Sequence, residues 1–483
     1  MEFTQLRTAA VNLALQRISE KADKWPIRID KFTFKDVTGI GSGEVSFHSP
    51  LTIITGKNSA GKTTFLRSLW VALDPIAAFK SQLTRRKIRT GSFYVSGYNN
   101  GKSYNEVVTL EDDDLVNLDI NNLNIIHLDS ADAIADLQQK MFRLGEVVDI
   151  INGAPERTLE TPDLGEVSYL NRRDYGKVTV YEVEIEGGLV APFFEVTYGS
   201  VKYDATQMGA GEYAALFLWW TLSNAQKGSI ILIEEPETFL SVLNQESLLN
   251  FLVKIIEKNK HCAIMTSHSG NLLQAMPAGS VRYLSRSGGN CSVVDSPDPT
   301  YLEAVGMEFR KDIFVFVEDG VAKTIGEIII ERFDPLLARR CQLAVVHGEA
   351  VITKSLEGLA DNPFGLKFLG WYDGDQAGKL PAKIASFAAF LPGDKAIETI
   401  LRTMAHADPD ALGAALGSNR VVEVLGSLEG VDHHDWLWRF AKAINRDPQS
   451  VLTGMFGLWL ADSDNLKTAE ERFQEFRAIA ERK

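Results

Sequence analysis

The stretch Leu51–Leu69, LTIITGKNSAGKTTFLRSL, carries residue types at a spacing suited to holding phosphate. Gly56, Gly61, Lys62 and Thr63 complete the pattern G-x-x-x-x-G-K-[ST]. The β-branched run Leu51–Thr55 before it reads as a buried strand, and Phe65, Leu66, Leu69 and Trp70 after it recur at helical spacing. Strand, glycine-rich loop and helix are the setting the pattern needs. Small residues let a loop of Gly56, Lys57, Asn58, Ser59, Ala60 and Gly61 turn its N–H groups inward around phosphate oxygens. The helix that follows, with Thr63 and Thr64 in its first turn, adds its positive end. Lys62 can reach the β- and γ-phosphates, and the Thr63 hydroxyl can ligate magnesium. ATP and Mg²⁺ are the expected ligands.

Three later stretches carry related chemistry. Residues 229–241, SIILIEEPETFLS, place the apolar run Ile230–Ile233 before Glu234 and Glu235. The run reads as a buried parallel strand, and ligand sites of α/β proteins lie at such strand ends. Glu234 can hold Mg²⁺, and Glu235 can orient and deprotonate the attacking water. Residues 207–212, QMGAGE, put Gly209, Gly211 and Glu212 before a helical run, a further anion site. Residues 262–269, CAIMTSHS, end another strand in His268.

A second set of acids lies further on. Residues 312–380 alternate strand and helix, as a smaller parallel α/β unit does. Glu318 and Asp319 follow the strand Ile313–Val317, and Asp373 and Asp375 follow the strand 366–372. Two carboxylates at i and i+2, with Glu318 from a neighbouring strand, can hold one or two Mg²⁺ ions for phosphodiester cleavage.

The elements that must position these groups follow from patterning. Residues 1–25 read as a helical preface, and residues 26–300 as a nucleotide-binding head. Residues 308–400 form the second unit, and 401–483 a helical C-terminal region. Within the head, residues 91–128 and 177–203 read as β-rich and 130–147 as a helix. The roughly 150 residues between Lys62 and Gly211 leave room for an inserted helical lobe at about 80–175, not for a long coiled coil. At 45% apolar and 24% charged the chain has the composition of a globular protein. No apolar run reaches the roughly 18–20 residues that span a bilayer. Cys262, Cys291 and Cys341 lack metal-type spacing, which suits a reducing cytoplasm. With a net charge of −14, a DNA-binding surface must be a local patch. Arg85-Arg86-Lys87 with Arg89 is one candidate, set against a plain solvated helix end. His433 and His434 read as a polar helix start.

In this order the four motifs of the head resemble the ABC-type ATPases, in the branch with DNA-repair heads and OLD-family nucleases. The resemblance makes Gly209–Glu212 a signature loop, with Met208 and Gly209 in place of Leu and Ser. It makes His268 a switch histidine near the γ-phosphate. It implies head-to-head pairing: a homo-oligomer with an even number of heads, in which the loop at Gly211 caps ATP on Lys62 of another copy. Gln82, Gln138 and Gln139 compete for the glutamine-bearing loop. Asp373-Gly374-Asp375 and Val317-Glu318-Asp319-Gly320 resemble the TOPRIM acids, and a head followed by TOPRIM is the OLD layout. One departure stands out: Val321, Ala322 and Lys323 occupy places where nucleases of this kind carry another acid, with Glu327 one helical turn on. Lys395 and Glu398 are further candidates. The resemblance implies an ATP-regulated, Mg²⁺-dependent DNA endonuclease in anti-phage defence. The alternative is an ATPase sensor or scaffold that holds and releases a separate effector protein, as in PARIS-like pairs.

Overall fold

The computed structural model describes all residues except 1, 112–113, 120–122, 144–150, 186–188, 296–297, 360–364 and 483; the side chains of 2–10, 117, 135, 142–143, 189, 278, 287, 433 and 434 are also outside it. The end of the expected 130–147 helix and the side chains of His433 and His434 therefore lie outside the described residues. The chain forms two compact units, Met1–Glu308 and Phe309–Lys483.

The first unit contains strands β1 (Ile27–Val37), β2 (Gly41–Ser46), β3 (Leu51–Thr55), β4 (Gly91–Asn99), β5 (Lys102–Glu111), β6 (Asp114–Asp119) and β7 (Ile125–Asp129). They are followed by β8 (Glu156–Thr158), β9 (Tyr175–Ile185), β10 (Leu189–Tyr198), β11 (Val201–Asp204), β12 (Ile230–Glu234), β13 (Cys262–Thr266), β14 (Val281–Ser287) and β15 (Asn290–Asp295). The central sheet has the order β15-β14-β3-β13-β12-β7, parallel except for β15. Every residue of β3, β12 and β13 is buried, as expected of unbroken apolar runs covered on both faces. The register pairs Glu234 with Asp129 on one side and Thr266 on the other, so the polar strand ends share one edge.

An antiparallel sheet, β2-β1-β4-β5-β6, alternates buried and exposed residues along β4 and packs its apolar face on the helix Lys62–Leu73. Phe65 of that helix meets Phe32 and Phe34 edge-on at 5.5 and 5.9 Å. A third sheet, β11-β10-β9-β8, flanks the helix Ala210–Asn224, which follows the expected signature loop. Residues 80–175 are thus no separate helical lobe. β4–β6 extend the sheet begun by β1 and β2, β7 joins the central sheet, and helices Ser130–Arg143 and Thr161–Asn171 follow. Period-two alternation in β4 and β5 serves an existing sheet, so the segment needs no core of its own.

In the second unit β16 (Ile313–Val317), β17 (Cys341–Val345), β18 (Lys367–Tyr372) and β19 (Ala388–Phe390) form a parallel sheet in the order β17-β16-β18-β19. One core runs from these strands into the helices between Ile397 and Ala480. Trp371 stacks on Phe476 at 4.4 Å, and Phe333 on Phe473 at 5.4 Å. Residues 401–483 therefore complete the core of the sheet before them.

Candidate functional site

The loop after β3 is shaped by backbone that only glycine tolerates in two places. A Cβ on Gly56 would lie 2.2 Å from the Leu284 carbonyl oxygen. Gly61, at φ +102°, would place one 2.6 Å from Ile40. The Cys291 thiol donates to the Ala60 carbonyl at 3.2 Å and backs the loop from behind. Lys57, Asn58 and Ser59 form its exposed crest. The helix makes its first internal bond from Phe65 N to Gly61 O, and no side chain caps it. The N–H groups of Lys62, Thr63 and Thr64 are therefore outside the helical ladder, available to an anion.

Lys62 is buried, and its Nζ donates to the carbonyls of Gly56 (3.1 Å) and Lys57 (3.4 Å). Burial pulls its pKa down, and the charges of Glu235 and Glu237 oppose that shift. The Thr55 hydroxyl, at the mouth of the loop, is buried with no hydrogen-bond partner among the described residues. A glycine cradle, unused helix donors and an ammonium group fit a triphosphate.

Glu234 and Glu235 stand at the end of β12, as the sequence places them, but in different surroundings. Glu234 is buried. Its Oε1 lies 2.8 Å from Arg67 Nε and 3.2 Å from His127 Nε2. The Arg67 contact is an ion pair without hydrogen-bond alignment. Glu235 has φ +41°, a strained value for a residue with a side chain, and its N–H is held by the Thr266 carbonyl at 3.1 Å. Its Oε1 lies 3.3 Å from His268 Nε2. The hydrogen bond from His268, aided by the charges of His268 and Lys62, holds the carboxyl below its usual range against partial burial. Glu235 is thus ionised at neutral pH, as a water-activating base must be.

Glu237 was not singled out as a site residue by its position. It accepts from Ser267 Oγ (2.7 Å), His268 N (2.8 Å) and Ser269 N (3.2 Å), and so fixes the turn carrying His268. Burial pushes its pKa up, although these bonds favour the ionised form. The only signal in the sequence is the recurrence of acids in Glu234-Glu235-Pro236-Glu237.

The signature loop is built differently from the expectation for Glu212. Its carboxylate accepts from Tyr175 (2.5 Å), Tyr203 (2.7 Å) and Arg173 (2.9 Å). Burial, with the Glu212 bond, raises the Tyr175 phenol pKa. The side chain is thus a strut between β9, β11 and the signature helix, and only the backbone N–H of Glu212 is left for an anion. The first internal bond of this helix runs from Tyr213 N to Gly209 O, so the donors of Ala210 and Gly211 are equally unused. A Cβ on Gly211 would lie 2.4 Å from the Phe239 carbonyl oxygen, which explains the glycine. Gln138 Nε2 donates to Met208 O at 3.3 Å, which ties that glutamine to the signature loop.

In the second unit Asp373 and Asp375 follow β18, and Glu318 and Asp319 follow β16. Gly374 is required between the two aspartates: a Cβ there would lie 2.0 Å from the Gly393 carbonyl oxygen. That contact brings in the loop leading to Glu398, a buried acid. Asp373 is pushed up to about 7 by burial, then by Glu398, Asp319, Glu318 and Asp375. Asp319 caps the helix Gly320–Phe333 through Ala322 N (2.8 Å), and Asp375 pairs with Lys379 at 3.5 Å. Lys323 and Glu327 pair with each other at 3.8 Å. The donors suit a hard cation, yet among the described residues no three acids are arranged to share one.

Comparison with known proteins bears on the head. The family model described as "AAA domain, putative AbiEii toxin, Type IV TA system" matches residues 94–274, and one described as "AAA domain" matches 31–156. Together they span the phosphate loop, the signature loop, both carboxylates and His268. Residues 31–274 are thus similar to AAA-type ATPase domains. Among solved structures, the SMC head domain from Thermotoga maritima is 13% identical, with 56% of this chain and 98% of that one covered and a TM-score of 0.34. An SmcHead bound to the C-terminal winged-helix domain of ScpA is 13% identical, with coverage of 55% and 96% and a TM-score of 0.38. An Smc head domain with an extended coiled coil, bound to the C-terminal domain of ScpA derived from Pyrococcus furiosus, is 12% identical, with coverage of 56% and 96% and a TM-score of 0.33. No curated protein matches the chain. Among the described residues, no helix is long and apolar enough to cross a membrane.

Proposed function

We propose that the chain is an ATP-driven switch whose heads pair around nucleotide, and that its second unit passes the state of the heads to a separate effector. The observation that carries the hydrolytic part is the strained, ionised Glu235 held by His268 beside the phosphate loop. Lys62 and the unused donors of Lys62–Thr64 bind and orient the triphosphate. Thr63 and Glu234 would hold Mg²⁺, which supplies charge neutralisation at the phosphates. Glu235 takes the proton of the attacking water, with His268 fixing its carboxylate. The open helix N-terminus at Gly209–Glu212, with no side-chain cap, supports a cap on nucleotide bound to a second copy. Glu235→Gln should lower hydrolysis about 10²–10⁴-fold while ATP binding persists; unchanged hydrolysis would refute the assignment.

The effector reading is favoured in the second unit by the Lys323–Glu327 pair and by the spread of the acids. A second reading, an OLD-like TOPRIM endonuclease acting on DNA in anti-phage defence, is favoured by the raised Asp373 carboxyl, which burial and then the charges of Glu398, Asp319, Glu318 and Asp375 push up. Plasmid incubated with Mg²⁺ or Mn²⁺ separates them. Nicking by the wild type that disappears in Asp373→Ala/Asp375→Ala supports the nuclease; no nicking by either protein supports the switch.

A further inference from the structure

Arg67 is 1% exposed and lies one turn after Thr63 on the same face of the phosphate-loop helix. A buried arginine needs several partners, and this one has four. Nε meets Glu234 Oε1 at 2.8 Å, and Nη2 donates to Asp129 Oδ2 at 2.6 Å. Nη1 donates to the hydroxyls of Ser81 (3.1 Å) and Thr84 (3.0 Å). One planar group therefore joins the ends of β12 and β7 to the helix Gln82–Lys87 and its cap. His127, stacked on Trp70 at 4.0 Å, touches the same Glu234 oxygen. Among the described residues both contacts to Glu234 fall on Oε1, which leaves Oε2 for a metal ion or its water.

We infer that Arg67 is a positioning residue for ATP hydrolysis: it takes one oxygen of Glu234 and thereby presents the other to the metal held by Thr63. This rests on the reading of Glu234 as the acid beside that metal. A guanidinium can do this where an ammonium cannot, because its three nitrogens reach two carboxylates and two hydroxyls at once. A glutamate in place of the more usual aspartate has the extra methylene that lets the carboxylate lean on Arg67.

The test uses the full chain and three measurements: binding of a fluorescent ATP analogue, kcat at saturating ATP, and the Mg²⁺ concentration for half-maximal hydrolysis. Arg67→Lys should lower kcat or metal affinity about 10–100-fold, the usual effect of losing a group that orients a ligand, and leave nucleotide affinity unchanged. Thr84→Val, which preserves every charge, should shift the Mg²⁺ midpoint in the same direction by less, and carries the test should Arg67 variants not fold. On a Glu234→Gln background, Arg67→Lys should add little, because both changes act through one carboxylate. A lower melting temperature with kcat per folded molecule and Mg²⁺ midpoint unchanged would overturn the inference, as would full additivity of the two substitutions. Loss of nucleotide binding by the wild type would instead sink the ATP-site reading itself.

Discussion

Asp373→Asn should stabilise the second unit at neutral pH. In the fold Asp373 titrates at about 7, against roughly 3.9 for an ordinary aspartate. Between those values the unfolded chain has lost the proton and the folded chain keeps it. The unfolded state binds fewer protons there, so stability falls as pH rises from about 4 to about 7 and is flat above. At about 1.4 kcal/mol per pKa unit the ceiling is about 4 kcal/mol, and partial solvent access brings it to about 2–4. Asparagine cannot ionise, so that penalty vanishes. Urea unfolding in EDTA at pH 4.5 and 8, read by pulsed hydrogen exchange on the β18 peptide, reports this unit alone. Wild type and variant should differ by about 1 kcal/mol or less at pH 4.5 and by about 2–4 kcal/mol at pH 8, with the variant more stable. Parallel curves at the two pH values, or a more stable wild type at pH 8, would refute the claim that burial, together with the neighbouring acids, holds Asp373 protonated.

Two further outcomes follow from the head. Glu212→Ala removes the acceptor of three hydrogen bonds and should cost about 2–4 kcal/mol, seen as faster exchange in β9 and β11. Gly56→Ala sets a methyl group against the Leu284 carbonyl and should weaken ATP binding roughly tenfold or more, measured by nucleotide titration; unchanged affinity would show that the loop is not the phosphate cradle.

The phosphate loop and the acids at the ends of β12 and β18 were legible in the sequence because each is local: strand, turn and functional residue lie within about ten positions. Arg67 was not, because a lone arginine in a helix reads as a surface charge, and its partners Asp129 and Glu234 lie far along the chain. Glu212 matched a motif by position, yet Tyr175 and Tyr203 decide where its carboxylate points. The helices after 400 showed aromatic faces without showing what those faces cover. The answer, Trp371 and Phe333, comes from an earlier segment. The strands of 91–128 were visible, but pairing across sequence, not composition, made them part of the head.

The stack of Trp371 on Phe476 also sets a timetable. During translation the four parallel strands emerge well before the helix Ser463–Ala480 that covers them. At about 5–20 residues per second, the hundred or so residues between the two rings take roughly 5–20 s to be made. For that interval the Trp371 indole, already against Gly326 of the helix Gly320–Phe333, lacks the ring that stacks on its other side. That face stays open until the last helix arrives and closes it.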